Sequence, residues 1–198
     1  MKWMLYNTHW EGPVAQELFI RVEAIAELLN SDSKPAEFRV LHCSGFYHEP
    51  SRHGFGLVYD FPSLDNTAPE SIKPLTLADV LEDRRSRGER PLLEDRLKLA
   101  RELANTVLEF HKVRWLHKNI SAYNVVFFNP PSTSLADSIR SPYVVGFSHS
   151  RPHEPSVFTE GPAQDPKLLD YQHPRYLIDV KEIFLPTFDI GDLQVEGR

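Results

Sequence analysis

Val14, Leu18, Val22, Ile25 and Leu29 recur at spacings of four, four, three and four, which places them on one face of a helix over residues 14–29. Glu11 and Pro13 stand at its start, where negative charge and a missing N–H are tolerated. Asn30-Ser31-Asp32-Ser33 and Pro35 end it. Two strand-like runs follow. Residues 38–46 mix apolar and polar side chains, whereas residues 55–61 are nearly all apolar, as a strand covered on both faces would be. After a proline-rich linker, Thr76-Leu77-Ala78-Asp79 has the form of a capping box opening a short helix. The clearest helix spans residues 92–112. Its stripe is Leu92, Arg96, Leu99, Leu103, Val107 and Phe110, widened by Ala100, Ala104 and His111, as expected of a core helix in an α+β domain. Beyond it the period drops to two in residues 123–128 and 143–147, predicting a hairpin whose connection is the polar loop 129–142.

Length and composition narrow the classes. The 198 residues suit one domain or the larger part of one. Sixteen prolines against nine glycines cluster at 62–74, 130–142 and 152–174, marking irregular stretches between the periodic ones. With 28 acidic and 22 basic side chains the net charge is −6, which disfavours a nucleic-acid partner. The one basic run, Arg84, Arg85, Arg87 and Arg90, is diluted by Glu82, Asp83 and Glu89. No apolar run approaches the roughly 18 residues of a membrane span, and the first residues lack a signal-peptide core. The single cysteine, Cys43, excludes an internal disulfide framework and fits a cytoplasmic location. His42, Cys43, His48 and His53 match no common zinc spacing, so no metal site is expected. His149 and His153 read as loop residues, and Ser148 lacks the setting of a nucleophile elbow. Ser132, Thr133, Ser134 and Ser138 are reasonable phosphoacceptors in the long loop.

The segment directly after the long helix, Trp115-Leu116-His117-Lys118-Asn119-Ile120-Ser121-Ala122-Tyr123-Asn124-Val125-Val126, resembles the catalytic loop of protein kinases. His117 falls on the motif's His, Lys118 on its Arg, Asn119 on its catalytic Asp and Ser121 on its Lys. Asn124, five residues after Asn119, falls on the metal-binding Asn. The rest of the chain resembles kinase order. Residues 14–29 match the small-lobe helix C, with Glu23 as its salt-bridging Glu; residues 57–61 match the last small-lobe strand and hinge, with Tyr59 as gatekeeper before Asp60 and Phe61. Gly146 stands at the Asp of D-F-G, and residues 170–176 match A-P-E. Residues 1–7 would be the third small-lobe strand, with Lys2 for the nucleotide-pairing Lys, and residues 184–190 the approach to helix F, with Asp189 near its Asp. The spellings L-H-K-N-I-S-A-Y-N-V-V-F-F, V-V-G-F-S-H-S-R-P and Y-Q-H-P-R-Y resemble fungal kinase-like domains found downstream of HeLo-type, prion-inhibition-and-propagation modules. The likeness covers roughly residues 1–190.

The resemblance implies a protein kinase-like α+β fold truncated at both ends. Residues 1–61 would be a partial small lobe and residues 62–198 a partial large lobe, with the catalytic loop at 117–124, the activation segment at 146–176, and helix F onward missing. It implies a nucleotide pocket at Lys2, Glu23, Tyr59, Asp60, Phe61 and Asn124. The departures argue against catalysis. Asn119 is a neutral amide where a carboxylate orients the substrate hydroxyl, Gly146 offers Mg²⁺ no ligand, Ser121 replaces a cation, and no G-x-G-x-x-G is present. The expected function is therefore a catalytically inactive signalling or interaction module with no cofactor. The alternatives are an ATP- and Mg²⁺-dependent Ser/Thr kinase drawing carboxylates from Asp137, Asp165 or Asp170, or a non-functional fragment of a longer protein. Without helix F the face bearing Leu99, Leu103 and Val107 is expected to be under-covered, calling for a protein partner or missing parent segments.

Overall fold

The computed structural model describes residues 3–6, 10–62, 72–87, 91–129, 137, 139–153 and 166–171. The chain forms two units, residues 1–163 and 164–198. Of the second, the described part is a 3-10 helix, Pro166–Tyr171. The architecture below is that of the first, a mixed α and β fold with small antiparallel sheets.

The first sheet has three strands, β1 (Trp3–Leu5), β2 (Cys43–Glu49) and β3 (Gly54–Tyr59), in the order β1-β3-β2. The most apolar strand takes the centre. Phe55 sits opposite Met4 on one side and His48 on the other. A Cβ at Gly56 would lie 2.7 Å from the Tyr47 ring that covers it, so a larger residue there would displace that ring. Tyr47 meets Trp3 edge-on at 5.2 Å, and Arg52 lies 5.1 Å over the Trp3 ring. Helix α1 (Pro13–Asn30) begins on its proline and buries Ala15, Leu18, Val22, Ile25, Ala26 and Leu29, the predicted stripe except that Val14 is exposed. A ring cluster of Tyr6, Trp10, Phe19, Phe46, His48 and Phe55 completes this core.

Residues 38–46 are not one strand. Ala36–Phe38 is a 3-10 turn entered from Pro35, and Arg39 then takes a left-handed φ of 47°. Arg39 is held there by hydrogen bonds of 2.9 and 2.8 Å from Nε and Nη2 to Glu102; Val40 makes an isolated bridge to Val144, and the continuous strand runs from Cys43 to Glu49. The second apolar run forms β3 but stops at Tyr59, and its Val58 is exposed rather than covered.

The second sheet has the order β4-β6-β7, from β4 (Lys73–Thr76), β6 (Val125–Asn129) and β7 (Tyr143–Val144). The predicted hairpin is β6–β7. Its third strand was hidden inside the linker by Pro74, which is compatible with pairing because β4 is an edge strand. Helix α2 (Leu77–Arg87) opens on the predicted capping box: Asp79 N–H donates to Thr76 Oγ1 at 3.0 Å, and Thr76 N–H donates to Asp79 Oδ2 at 2.8 Å. Helix α3 (Leu93–Lys112) spans the predicted range. Its burial departs from the predicted stripe: Phe110, Asp95 and Thr106 are buried, Leu99, Leu103 and Val107 are half-buried, and Leu92, Ala100, Ala104 and His111 are exposed. Asp95 is inside because Arg140 Nε donates to it at 2.8 Å. A second core of Val80, Val125, Phe127 and Ile139 takes in Leu99 and Leu103. Two-residue strands β5 (Trp115–Leu116) and β8 (Arg151–Pro152) pair at the end of α3. Among the described residues, no helix is long and apolar enough to cross a membrane.

Candidate functional site

The loop between β5 and β6 and the turn after β7 come together. α3 hands the chain to β5 through Arg114, whose left-handed φ of 54° reverses it, and Arg114's carbonyl accepts from His153 N–H at 2.8 Å. Pairing of Leu116 with Arg151 then lays residues 117–124 against the segment following Gly146. Lys118 also holds a positive φ, 59°, so the loop turns sharply.

His117 is buried. Its ring lies 5.5 Å from Phe110 and 4.8 Å from Phe147, its Nδ1 accepts from Asn119 N–H at 3.3 Å, and its carbonyl accepts from Ser150 Oγ at 3.0 Å. Asn124 is 0 % and Asn119 8 % exposed, so neither amide opens to solvent. Asn124 Nδ2 donates to the Asn119 carbonyl at 2.6 Å, and Asn124's own carbonyl accepts from Val145 N–H at 2.9 Å. Ser121 is buried, and its carbonyl accepts from Asn124 N–H at 2.9 Å. Asn119 Nδ2 makes a long 3.5 Å contact with the Gly146 carbonyl. The result is a buried knot of an imidazole, two amides and the Ser150 hydroxyl, none of them an anion.

Gly146 completes it. Its φ of 87° and ψ of 51° favour glycine, and a Cβ built there would lie 2.4 Å from Asn124 Oδ1 and 2.5 Å from Cγ. The Asn124 amide thus fills the volume that any side chain at position 146 would need. A metal-binding carboxylate at 146 is incompatible with this packing. Among the described residues no group of three or more His, Cys, Asp and Glu could hold a metal ion.

The remaining predicted positions are spread more widely. Lys2 lies outside the described residues, as do Asp165, residues 172–176 and residues 184–190 with Asp189. Ser132, Thr133, Ser134 and Ser138 lie outside them as well. Glu23 is exposed on α1 and makes no ion pair among the described residues. Tyr59, at the end of β3, is half-buried, and burial pushes its phenol up. Asp60 is exposed; it accepts from Ser44 Oγ and stands 3.8 Å from His42 Nε2. Phe61 stacks edge-on against Phe128 at 5.1 Å. Cys43 is buried, which raises its thiol pKa, and Sγ donates to the Gly45 carbonyl at 3.1 Å. Asp137 and Asp170 are exposed, and Asp137 pairs with Arg140 at 3.3 Å.

Three contributors escaped sequence reading. Ser150 is buried on the His117 carbonyl, Trp115 is buried in the first core, and Arg21 of α1 donates from Nη2 to the Ser148 carbonyl at 3.2 Å. Arg21 sits one residue from the apolar stripe and reads as a solvated charge; only its reach across to residue 148 gives it a role.

No curated protein matches the chain. Residues 30–177 match the model of the family described as a domain of unknown function, DUF7580. The match takes in β2 to β8, α2, α3 and the knot itself, and it exceeds half the chain; the chain therefore belongs to the DUF7580 family.

Proposed function

We propose that this chain is a catalytically inactive, protein kinase-like module that acts by binding other proteins. The observation carrying this reading is the Asn124 amide packed into the space beside Gly146, buried and donating to the Asn119 carbonyl. Phosphoryl transfer depends on charge placed against the phosphates: a carboxylate-held Mg²⁺, a base for the hydroxyl, and a phosphate cradle. In this chain each loop amide turns its Nδ2 toward a backbone carbonyl, Asn124 to Asn119 and Asn119 to Gly146, and no anion stands among them. The kinase-like part of the reading is supported by the sequence motif at 117–124 and by the meeting of that loop with Gly146 after a long helix. It is also supported by a three-stranded antiparallel sheet with a helix packed on it earlier in the chain.

The test is direct. Purified chain is expected to show no Mg²⁺-dependent rise in melting temperature with ATP, and no transfer of label from γ-labelled ATP to itself or to a generic acceptor. Label transfer that disappears in an Asn124→Ala variant would overturn the reading.

A further inference from the structure

We propose that the solvent-facing seam of α3 docks an amphipathic helix whose apolar stripe is bordered by Asp and Glu. This rests on the reading of the chain as a binding module and names the chemistry of a partner. α3 buries Asp95, Thr106 and Phe110 on one side. On the other side Leu93 and Leu97 are each 61 % exposed and Leu108 is 53 % exposed, with Ala100 and Ala104 exposed between them. The five positions repeat at four, three, four and four residues, the spacing that keeps them on one face of the helix as a stripe along which a second helix can lie. A sheet edge or an extended peptide would not follow that repeat. Ala100 and Ala104, one turn apart mid-seam, leave room for a second helix to approach closely.

Charge selects among helices. Arg96 lies along one border and Arg101 along the other, both exposed. Arg96 makes no ion pair among the described residues, and Arg101 reaches only to 3.6 Å from Glu102, which already holds Arg39. The nearby acids are neutralised: Glu94 by Lys98 at 2.6 Å and Glu109 by Lys112 at 2.5 Å. The border is therefore basic on a chain whose net charge is −6. A second copy would bring two such basic borders together. A membrane surface suits a wide apolar face with aromatic anchors, and this narrow seam has none.

The experiment uses the full chain and two fluorescently labelled synthetic helices with Leu at the seam positions, one bordered by Glu and the other by Lys. The Glu-bordered helix is expected to bind at least about tenfold more tightly in low salt, with the difference shrinking at high salt. Leu97→Glu is expected to abolish binding. Ala104→Trp, which adds apolar area but blocks close approach, is expected to weaken it about tenfold. Both sites are exposed, and circular dichroism checks that each variant is folded. Equal binding of the two helices, or tighter binding by Ala104→Trp, would overturn the proposal. So would a wild-type dimer that Leu97→Glu dissolves, or Leu97-dependent binding to phosphatidylserine vesicles that excludes the Glu-bordered helix. ATP-dependent label transfer on the same samples bears on the inactive-module reading alone, so failure of one is distinguishable from failure of the other.

Discussion

Gly146 and Phe147 are neighbours in sequence but serve regions held together in opposite ways. Phe147 joins the apolar core under α1, with Phe110, Trp115, Phe55 and the buried stripe of the helix. Gly146 belongs to the polar knot with Asn119 and Asn124. The core is stabilised by removal of apolar surface from water and by close packing, which have no direction and scale with volume. The knot is stabilised by hydrogen bonds whose donors and acceptors must face each other in a space with no slack. The core should therefore respond to substitution by how much is removed, and the knot by whether one atom still fits.

The largest effect is expected in the core. Phe55 is fully buried and meets Tyr6, Trp10, Phe19, Phe46 and His48. Phe55→Ala should cost about 3–5 kcal/mol of unfolding free energy, read by urea denaturation, and Phe55→Leu distinctly less. Next comes a single methyl in the knot. Gly146→Ala combines a positive-φ penalty with a Cβ set 2.4 Å from Asn124 Oδ1, and should cost about 2–4 kcal/mol. Trimming the obstructing amide tests the geometry: in Asn124→Gly, adding Gly146→Ala should cost clearly less than it does in the parent. Strict additivity of the two changes would break the contrast between the regions.

Legibility follows the same contrast. α1 was readable because Leu18, Val22, Ile25 and Leu29 face one sheet, and a burial pattern set by one neighbour shows as one period. The α2 capping box was readable because Thr76 and Asp79 act on each other's backbone N–H across one turn. α3 was readable as a helix but not by face, since it meets three surroundings: Phe110 the first core, Leu99 and Leu103 the second, Leu93 and Leu97 water. β4 was missed because an edge strand tolerates the proline that argues against strands elsewhere. At the site, His117, Asn119, Asn124 and Gly146 stand out in the sequence by their spacing, and the structure brings the four together. The occupation of Gly146's missing side-chain volume by Asn124 was not legible. It depends on a rotamer and a left-handed turn, and neither leaves a trace in spacing.

A smaller effect is expected where the two regions are joined. Arg39 donates twice to Glu102 of α3 while its carbonyl accepts from Val144 N–H at 2.8 Å, tying the end of the 3-10 turn to β7. The pair is half-buried and shares a single carboxylate oxygen, so Glu102→Ala should cost about 1–2 kcal/mol. A double-mutant cycle with Arg39→Ala should recover most of that as coupling. Coupling near zero, or full loss in high salt, would make this link a surface contact.

The smallest effect is electrostatic and lies at the edge of the knot. Burial, followed by the positive charges of Arg151 and Arg21, pulls the Lys118 ammonium below its ordinary value of 10.5. A lysine pKa lowered by folding means that the unfolded chain holds a proton which the folded chain has released. Between the lowered value and 10.5 the unfolded state binds more protons, so this residue makes stability rise with pH across that window. Lys118→Met should flatten that part of the profile, measured as the difference between the denaturation midpoints of the two proteins through the alkaline range. The difference is expected to be modest, because the side chain is only half-buried and solvent screens it. If the two profiles ran parallel up to 10.5, Lys118 would be fully hydrated when folded. The boundary of the water-excluded region would then fall between it and Asn119, rather than outside both.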